Sequence, residues 1–470
     1  MSEEEGTRAM LVDTHVHLNM HHFDGDREET VARADRAGVA EMVAVGYDRS
    51  SLDQVIGLTD EFAGVYAAVG IHPHEAADYD SELEETIKKY LLRKKVLALG
   101  EIGLDYYRDL SPRDIQRDVF RKQISAALYF GKPIVVHCRD AFEDVVRILS
   151  EEGASDVGGI FHAFGGGVEE VEEIFRLGFI LGIGGPLTYR NSRLSRTLKS
   201  IPSSGFVLET DCPYLPPEPY RGRRNEPAYL RIIAEKCAEI KSVFPRDIAR
   251  ATGRNYRRCL HGEKSVPPSI VYSIRDSLYI NPTNTCTNNC RFCARRNRNS
   301  ELYGYNLDLI VEPQAEETVQ EVERALKEDR YTEIVFCGYG EPTTRLNFLL
   351  DTAEALRKHE LPLRLNTNGQ GNMINRRDIV PELEERFDRI SVSVNGYDRE
   401  SYNRLCRPDA GGEAFDSVLD FLRKAAASGM ECTATAVNLP GLDIEKCRKL
   451  VESIPGAGFR ARTYQLAPPD

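Results

Sequence analysis

The chain has 470 residues, too many for one ordinary domain, and its apolar fraction of 41% is enough for packed cores. A net charge of −13 excludes a globally basic nucleic-acid coat, but not an enzyme that grips a few phosphates through local positive charge or metal ions. Eleven cysteines, an odd number scattered along the chain, argue against a disulfide framework, and no apolar run approaches the ~18–20 residues of a membrane span. The first residues, Met-Ser-Glu-Glu-Glu-Gly, are acidic where a secretory or transit signal would be basic, so a cytoplasmic protein without membrane partners is expected.

Residues 11–18 read Leu-Val-Asp-Thr-His-Val-His-Leu, an alternation that predicts a strand entering a buried sheet. Side chains at i and i+2 share a face, so His15 and His17 project together from its C-terminal end. Strands are then expected at 40–45, 65–69, 96–100, 133–137, 159–162, 179–183 and 206–209. Helical stretches at 26–36, 50–62, 81–93, 112–130, 141–150, 168–177 and 193–200 alternate with them, and two more at 227–242 and 245–260 close the run. Eight strand–helix units over about the ~250 residues such a fold needs predict a (β/α)8 barrel.

Polar residues suited to metals fall on the strand ends. His15 and His17 end the first strand, Glu101 the fourth, His137 the fifth and His162 the sixth, while Asp211 follows the eighth. Barrel enzymes build their active sites at this face, so four histidines and two carboxylates would share one cup. Such a set suits zinc or manganese better than magnesium, with magnesium still allowed. Six donors exceed what one open catalytic ion needs, and a carboxylate midway can bridge two ions about ~3.5–4 Å apart, which lower the pKa of a water and clamp a phosphoryl group. Asp211 is expected to hold that water and accept its proton. His72 and His74, in Gly-Ile-His-Pro-His after the third strand, and Arg221 and Arg223, beyond Asp211 with Arg224, are candidate substrate contacts. Cys138 and Cys212 read as packing.

The stretches Asp-Thr-His-Val-His-Leu, Gly-Ile-His-Pro-His, Gly-Glu-Ile-Gly-Leu-Asp-Tyr, His-Cys-Arg-Asp-Ala, Glu-Thr-Asp-Cys-Pro-Tyr-Leu and Pro-Tyr-Arg-Gly-Arg-Arg-Asn-Glu-Pro resemble the TatD family of metal-dependent deoxyribonucleases, in the family's order, over residues 10–262. The resemblance implies a two-metal barrel in which His15, His17 and Asp211 hold one ion, His137 and His162 the other, and Glu101 bridges. It also implies 3′–5′ nuclease activity on single-stranded DNA or RNA. Relatives include an aminoacyl-tRNA-editing hydrolase, so an ester or amide hydrolase is the competing reading.

Residues 264–274 read as a proline-bearing linker between a domain at 1–263 and a second at 275–470. A new alternation has strands at 278–281, 333–336, 363–366, 390–394, 431–437 and 459–465, with helices between them, which predicts an open, partial (β/α)6 barrel. After its first strand come Cys286, Cys290 and Cys293, spaced C-x3-C-x2-C, with no histidine within fifteen residues. A closed zinc site wants four ligands, whereas three thiolates on a four-iron cluster leave one iron open for catalysis.

This stretch resembles the radical SAM superfamily, with Phe292 as its usual aromatic, and the match runs over about residues 275–465. The resemblance implies a 4Fe-4S cluster that reductively cleaves S-adenosylmethionine, an electron donor, and a substrate that the core does not name. It implies further that Gly340, Glu341 and Pro342 hold the cofactor's amino group, and that Asn368, Ser393 and Asn395 reach its ribose and carboxylate. Cys337, Cys406, Cys432 and Cys447 read as packing, with Cys406 able to face the open side. The competing reading makes this half a cluster-bearing binding or redox-sensing module.

Overall fold

The computed structural model describes residues 10–264, 266–296 and 301–466; the acidic N-terminal hexapeptide lies outside them. The chain divides into two compact units, one comprising described residues up to 264 with Leu466, the other Val266–Gln465. No helix among the described residues is long and apolar enough to cross a membrane.

In the first unit eight strands, β1 (Leu11–Val16), β2 (Val39–Val45), β3 (Val65–Val69), β4 (Val96–Asp105), β5 (Ile134–Arg139), β6 (Gly159–Phe161), β7 (Phe179–Ile183) and β8 (Phe206–Leu208), pair in parallel in sequence order. The ring draws shut where Val16 bridges Cys212, with His17 N–H donating to Cys212 O and Asp211 N–H to His15 O, each at 2.9 Å. Helices alternate with the strands, as the expected (β/α)8 barrel requires. Val12, Val43, Ala68, Ala98, Val135, Ile160, Ile180 and Val207, one from each strand, form a single apolar layer with Tyr256 and Leu260 of the helix Pro245–His261. Apolar side chains therefore fill the barrel, and the polar chemistry is left to the C-terminal strand ends.

Two local irregularities aim that chemistry. The β1–β2 register shifts between Asp13 and Val16, and the β4–β5 register shifts between Gly100 and Ile102, directly at Glu101. A bulge re-aims the side chain it carries. Gly103 has φ +148°, and a Cβ there would sit 1.9 Å from His137 O, so only glycine lets β4 run this close to β5.

The second unit is a seven-stranded sheet in the order β15-β14-β13-β12-β11-β10-β9. Its members are β9 (Val271–Ile274), β10 (Ser277–Ile280), β11 (Glu333–Phe336), β12 (Leu363–Thr367), β13 (Arg389–Ser393), β14 (Glu431–Asn438) and β15 (Ala457–Thr463). β10 to β15 are parallel, as expected, but β9 is antiparallel to β10 and comes from the stretch read as linker. The linker reading of 264–274 is thus corrected. Ile274 pairs with Ser277 across the two-residue loop Arg275–Asp276, with Arg275 at φ +59°, which is the geometry of a tight hairpin. Tyr272 is buried and donates its hydroxyl to Cys337 O at 2.9 Å, which secures the added strand.

One face of this sheet packs Leu278, Ile334, Leu365, Ile390, Val392 and Ala434 against the helices. The other is polar: Glu333 pairs with Arg364 at 2.7 Å and with Arg389 at 3.4 Å. β15 is the outer strand, and its Arg460 and Arg462 are exposed.

Candidate active sites

His15 and His17 leave β1 side by side, as i, i+2 geometry demands, and both are buried. His15 Nε2 lies 3.3 Å from His17 Nε2, 3.4 Å from Glu101 Oε2 and 3.8 Å from Asp211 Oδ1. His17 Nε2 lies 3.4 Å from Asp211 Oδ1 and 4.0 Å from Glu101 Oε2, while its Nδ1 faces Val45 O at 3.3 Å and so turns Nε2 inward. Ligands at ~2.1 Å around a tetrahedral ion stand ~3.4 Å apart, so His15, His17 and Glu101 suit three corners of one cation's shell.

The other oxygen of Glu101 faces a second group. Oε1 is 2.7 Å from His137 Nδ1, 3.5 Å from His162 Nε2 and 3.8 Å from His72 Nε2. Among the described residues three sets of donors each lie within 4.8 Å of one another: His15, His17 and Glu101; His15, His162 and Asp211; and His72, Glu101 and His137. The six strand-end residues therefore gather in one cup with Glu101 between two imidazole groups. The His137 and His162 rings stay 6.3 Å apart.

Carboxylates outside this shell hold the rings. Asp105 Oδ2 is 3.1 Å from His137 Nε2 and 3.0 Å from His74 Nε2, so His74 is a partner of Asp105 and its ring nitrogen is taken up there. Glu209 Oε1 accepts Ala163 N–H at 2.6 Å and faces His162 Nδ1 at 3.2 Å. Asp13 accepts from Thr210 N–H at 2.9 Å and Thr210 Oγ1–H at 2.7 Å, latching β1 to the loop that carries Asp211. Sequence reasoning missed all three. The signals were Glu209 two residues before Asp211 and Asp105 four after Glu101, where strand alternation places them on the ligand side.

The electrostatics fit a cation site. Burial alone would raise Glu101, but His162, His15 and the His137 bond overcome it and hold the carboxylate well below its usual range. Burial would lower His162, yet Glu209, Glu101 and Asp211 push it up to about 10. Burial, with His162 beside it, lowers His15. The resulting set is a nest of acids and bases that shift one another strongly, as expected of a functional cup.

His72 differs from the rest. Its Nδ1 accepts His74 N–H at 3.1 Å, so in the neutral ring Nε2 carries the proton and points at the cup as a donor. Burial and neighbouring His137 hold it well below the usual range, which keeps it neutral. Arg221 is exposed and lies over the Tyr189 ring at 4.5 Å, and Arg223 is exposed. Arg224 is instead committed to Asp26 through bonds of 2.6 and 2.7 Å, which ties the loop after β8 to the first helix. It is structural, unlike the phosphate grip expected of its neighbours.

In the second unit Cys286, Cys290 and Cys293 share one loop after β10, and the Cys290 and Cys293 thiols are close enough to act electrostatically on Cys286. Asn288 N–H lies 3.4 Å from Cys286 Sγ. Burial pushes the Cys286 thiol up to about 12, so a thiolate there needs a cation to hold it. Soft sulfur donors suit iron, and three thiols on one loop are the donor set that a 4Fe-4S cluster with one open iron takes. Cys406 is buried with its thiol in hydrogen-bonding reach of Cys290. Tyr402 braces the loop: its hydroxyl accepts from Asn288 Nδ2 at 3.2 Å and Gln370 Nε2 at 3.0 Å. Nothing in the local sequence marked that brace.

The glycine-rich turn after β11 is tightly held. A Cβ on Gly340 would lie 2.5 Å from both Thr283 O and Thr285 O, so glycine alone lets the turn reach the cysteine loop. The Glu341 carboxylate, expected at the cofactor's amino group, is buried and already accepts from Thr343 N–H (3.1 Å), Thr343 Oγ1–H (2.7 Å), Thr367 Oγ1–H (2.7 Å) and Asn368 N–H (2.5 Å). Asn368 also donates to Thr287 Oγ1 at 3.0 Å, and Asn395 Oδ1 accepts Val437 N–H at 2.9 Å. Ser393 ends β13, half-buried.

The model of the family "TatD related DNase" matches residues 12–261, and that of the "Radical SAM superfamily" matches residues 280–454. A Bacillus subtilis protein named "Uncharacterized metal-dependent hydrolase YabD" is 45% identical over 250 residues, 53% of this chain and 98% of the relative. The Klebsiella pneumoniae "3'-5' ssDNA/RNA exonuclease TatD" is 32% identical over 253 residues, 53% of this chain and 96% of the relative. The crystal structure of YJJV, a TatD homolog of Escherichia coli, superposes with a TM-score of 0.51 at 28% identity, covering 53% of this chain and 98% of that one.

Proposed function

Because this chain belongs to the TatD-related DNase family, with a radical SAM domain behind the hydrolase domain, we propose that its first unit is a two-metal nuclease that removes nucleotides from the 3′ end of single-stranded DNA or RNA. The observation that carries this reading is the position of Glu101. Its Oε2 faces His15 at 3.4 Å and its Oε1 faces His137 at 2.7 Å, the arrangement of a carboxylate shared by two ions.

His15, His17 and Asp211 would hold one ion, His137 and His162 the other, and Glu101 both. Zinc and manganese suit the mixed nitrogen and oxygen set, and magnesium is the third choice. Bound ions supply Lewis acidity that lowers the pKa of an attacking water and neutralises phosphoryl oxygens. Asp211 would accept the proton of the attacking water; its carboxylate is 11% exposed where that of Glu101 is 4%. His72 donates its Nε2 proton to a phosphate oxygen, and His74 assists by sharing Asp105 with His137. Arg221 and Arg223, exposed beyond Asp211, meet the strand's phosphates.

In the second unit Cys286, Cys290 and Cys293 would hold a 4Fe-4S cluster, with one iron left for S-adenosylmethionine. Such a cluster, when bound, would supply the electron for reductive cleavage of that cofactor. Gly340 and Pro342 shape the turn beside the cofactor's amino group. Glu341 braces the same turn, and Asn368, Ser393 and Asn395 offer polar groups at successive strand ends.

The test is a 3′-to-5′ digestion ladder on a labelled single-stranded oligonucleotide with manganese, zinc or magnesium. Shortening from the 3′ end that Glu101→Ala abolishes supports the reading; an inert nucleic-acid panel alongside turnover of small esters or amides overturns it. For the second unit, oxygen-free protein with reductant and S-adenosylmethionine should release 5′-deoxyadenosine, and a full cluster without cleavage overturns that half.

A further inference from the structure

The mouth of the barrel is electrically lopsided. On one flank, the loops after β2 and β3 enclose a cavity of about 530 Å³ lined by Asp48, Glu75, Asp78 and Asp80. Its one cation, Arg49, is already paired with Asp80 at 2.6 Å and Glu82 at 3.6 Å. On the other flank, the loops after β6, β7 and β8 enclose a pocket of about 360 Å³ lined by Tyr189, Arg190, Asn191, Ser192, Arg193 and Arg221. In a ring of eight strands in sequence order, β3 and β7 stand opposite each other, so the acidic and basic flanks face one another across the donor cup.

The basic pocket adjoins that cup. Gly165, three residues after His162, lines it, and so does Pro186, three residues past the end of β7. Its wall is fixed: Tyr189 donates its hydroxyl to Pro216 O at 3.0 Å, and the Arg221 guanidinium lies over the Tyr189 ring, 4.5 Å from its centre. Its cations are available. Among the described residues Arg190 has no ion pair, Arg193 reaches only Glu169 at 3.9 Å and Glu170 at 4.0 Å, and Arg221 reaches only Glu218 at 3.8 Å. Long pairs between exposed groups contribute little and are readily exchanged for a phosphate, to which guanidinium offers a fork of donors.

We propose that this pocket is a nucleotide subsite. It takes the nucleotide next to the one being cleaved, with Arg190 and Arg193 on its phosphate, Asn191 and Ser192 on polar edges, and the Tyr189–Arg221 stack as its wall. The acidic flank repels a polyanion, so a single strand leaves the cup on the arginine side only. The ligand class is a single-stranded nucleic acid at least two nucleotides long. The inference rests on the nuclease reading for the strand's relation to the cup, but its test is separate.

The test is fluorescence anisotropy of 5′-fluorescein-labelled (dT)8 with the full chain in chelator, where no cleavage occurs. Arg190→Gln combined with Arg193→Gln should weaken binding at least ~10-fold and reduce the slope of log K against log salt by about 0.7, one single-strand phosphate contact. Asp78→Asn, on the opposite flank, should tighten binding, and the metal stoichiometry of both variants should equal that of the wild type. An unchanged affinity and slope in the double variant overturns the inference, as does a wild-type chain that does not bind (dT)8. A wild-type chain that binds through these arginines yet cleaves no strand sinks the nuclease reading and leaves the subsite standing.

Discussion

Glu209→Gln tests how the cup is held. Glu209 is buried, accepts Ala163 N–H at 2.6 Å and faces His162 Nδ1 at 3.2 Å. Glutamine keeps an oxygen for Ala163 but presents no charge to His162. Loss of such an outer partner typically weakens metal binding ~10–100-fold, about 1.4–2.8 kcal/mol. The pH dependence should change with it. In the metal-free chain Glu209 is the first of the carboxylates that push His162 up to about 10. A folded pKa above the ordinary ~6.5 stabilises the chain fully below ~6.5, and that stabilisation is lost as pH rises through the folded value. A metal ion must displace this proton, so wild-type affinity should climb with pH across that window and the variant's should climb less. Competition for zinc against a chromophoric chelator between pH 6.5 and 9 reads both effects. Gly182→Ala gives a second route, because its Cβ would fall 2.6 Å from the Glu209 Cδ and displace the carboxylate without removing it. Equal zinc affinity and equal pH slope in wild type and both variants would refute the positioning role.

Other outcomes follow from the same geometry. Burial pushes Asp13 up to about 8, so its contribution is complete below the ordinary ~3.9 and lost as pH rises through about 8; Asp13→Asn should therefore flatten the fall in urea midpoint between pH 5.5 and 8.5, and an unaltered fall counts against it. Gly340→Ala should abolish 5′-deoxyadenosine release, since a Cβ 2.5 Å from two carbonyls forces the turn off the cysteine loop; normal release would show that the turn tolerates it. Tyr402→Phe should lose the bonds to Asn288 and Gln370, each worth about 1 kcal/mol, and speed iron loss to a chelator several-fold; wild-type loss rates would show that the brace does not secure the loop.

Much of this architecture was legible in the sequence because strand periodicity and ligand chemistry coincide. His15 and His17 on alternate positions, and Glu101, His137, His162 and Asp211 at successive strand ends, declared one cup, and the structure gathers all six. The cysteine spacing marked Cys286, Cys290 and Cys293 as a set, and the structure puts them on one loop after β10. What stayed hidden depends on partners distant in the chain. Arg224 looked like its neighbours until Asp26, nearly two hundred residues earlier, took its charge. Glu341 matched a motif, but the bonds its carboxylate accepts from Thr343, Thr367 and Asn368 join residues that nothing local pairs. The hairpin strand Val271–Ile274 was masked by the prolines before it, and only Tyr272 reaching Cys337 shows why it docks.

The last strand of the second unit has a consequence for the molecule's solubility. Among the described residues no strand pairs with the outer edge of β15, so the backbone of Ala457–Thr463 is offered to any extended peptide that drifts past. Arg460 and Arg462 stand along that strand as two like charges two residues apart, and an incoming copy of the same strand would set arginine against arginine. Replacing both with valine would turn a self-repelling border into a template, and the protein would be expected to aggregate through strand addition while its histidine and carboxylate cup stayed intact.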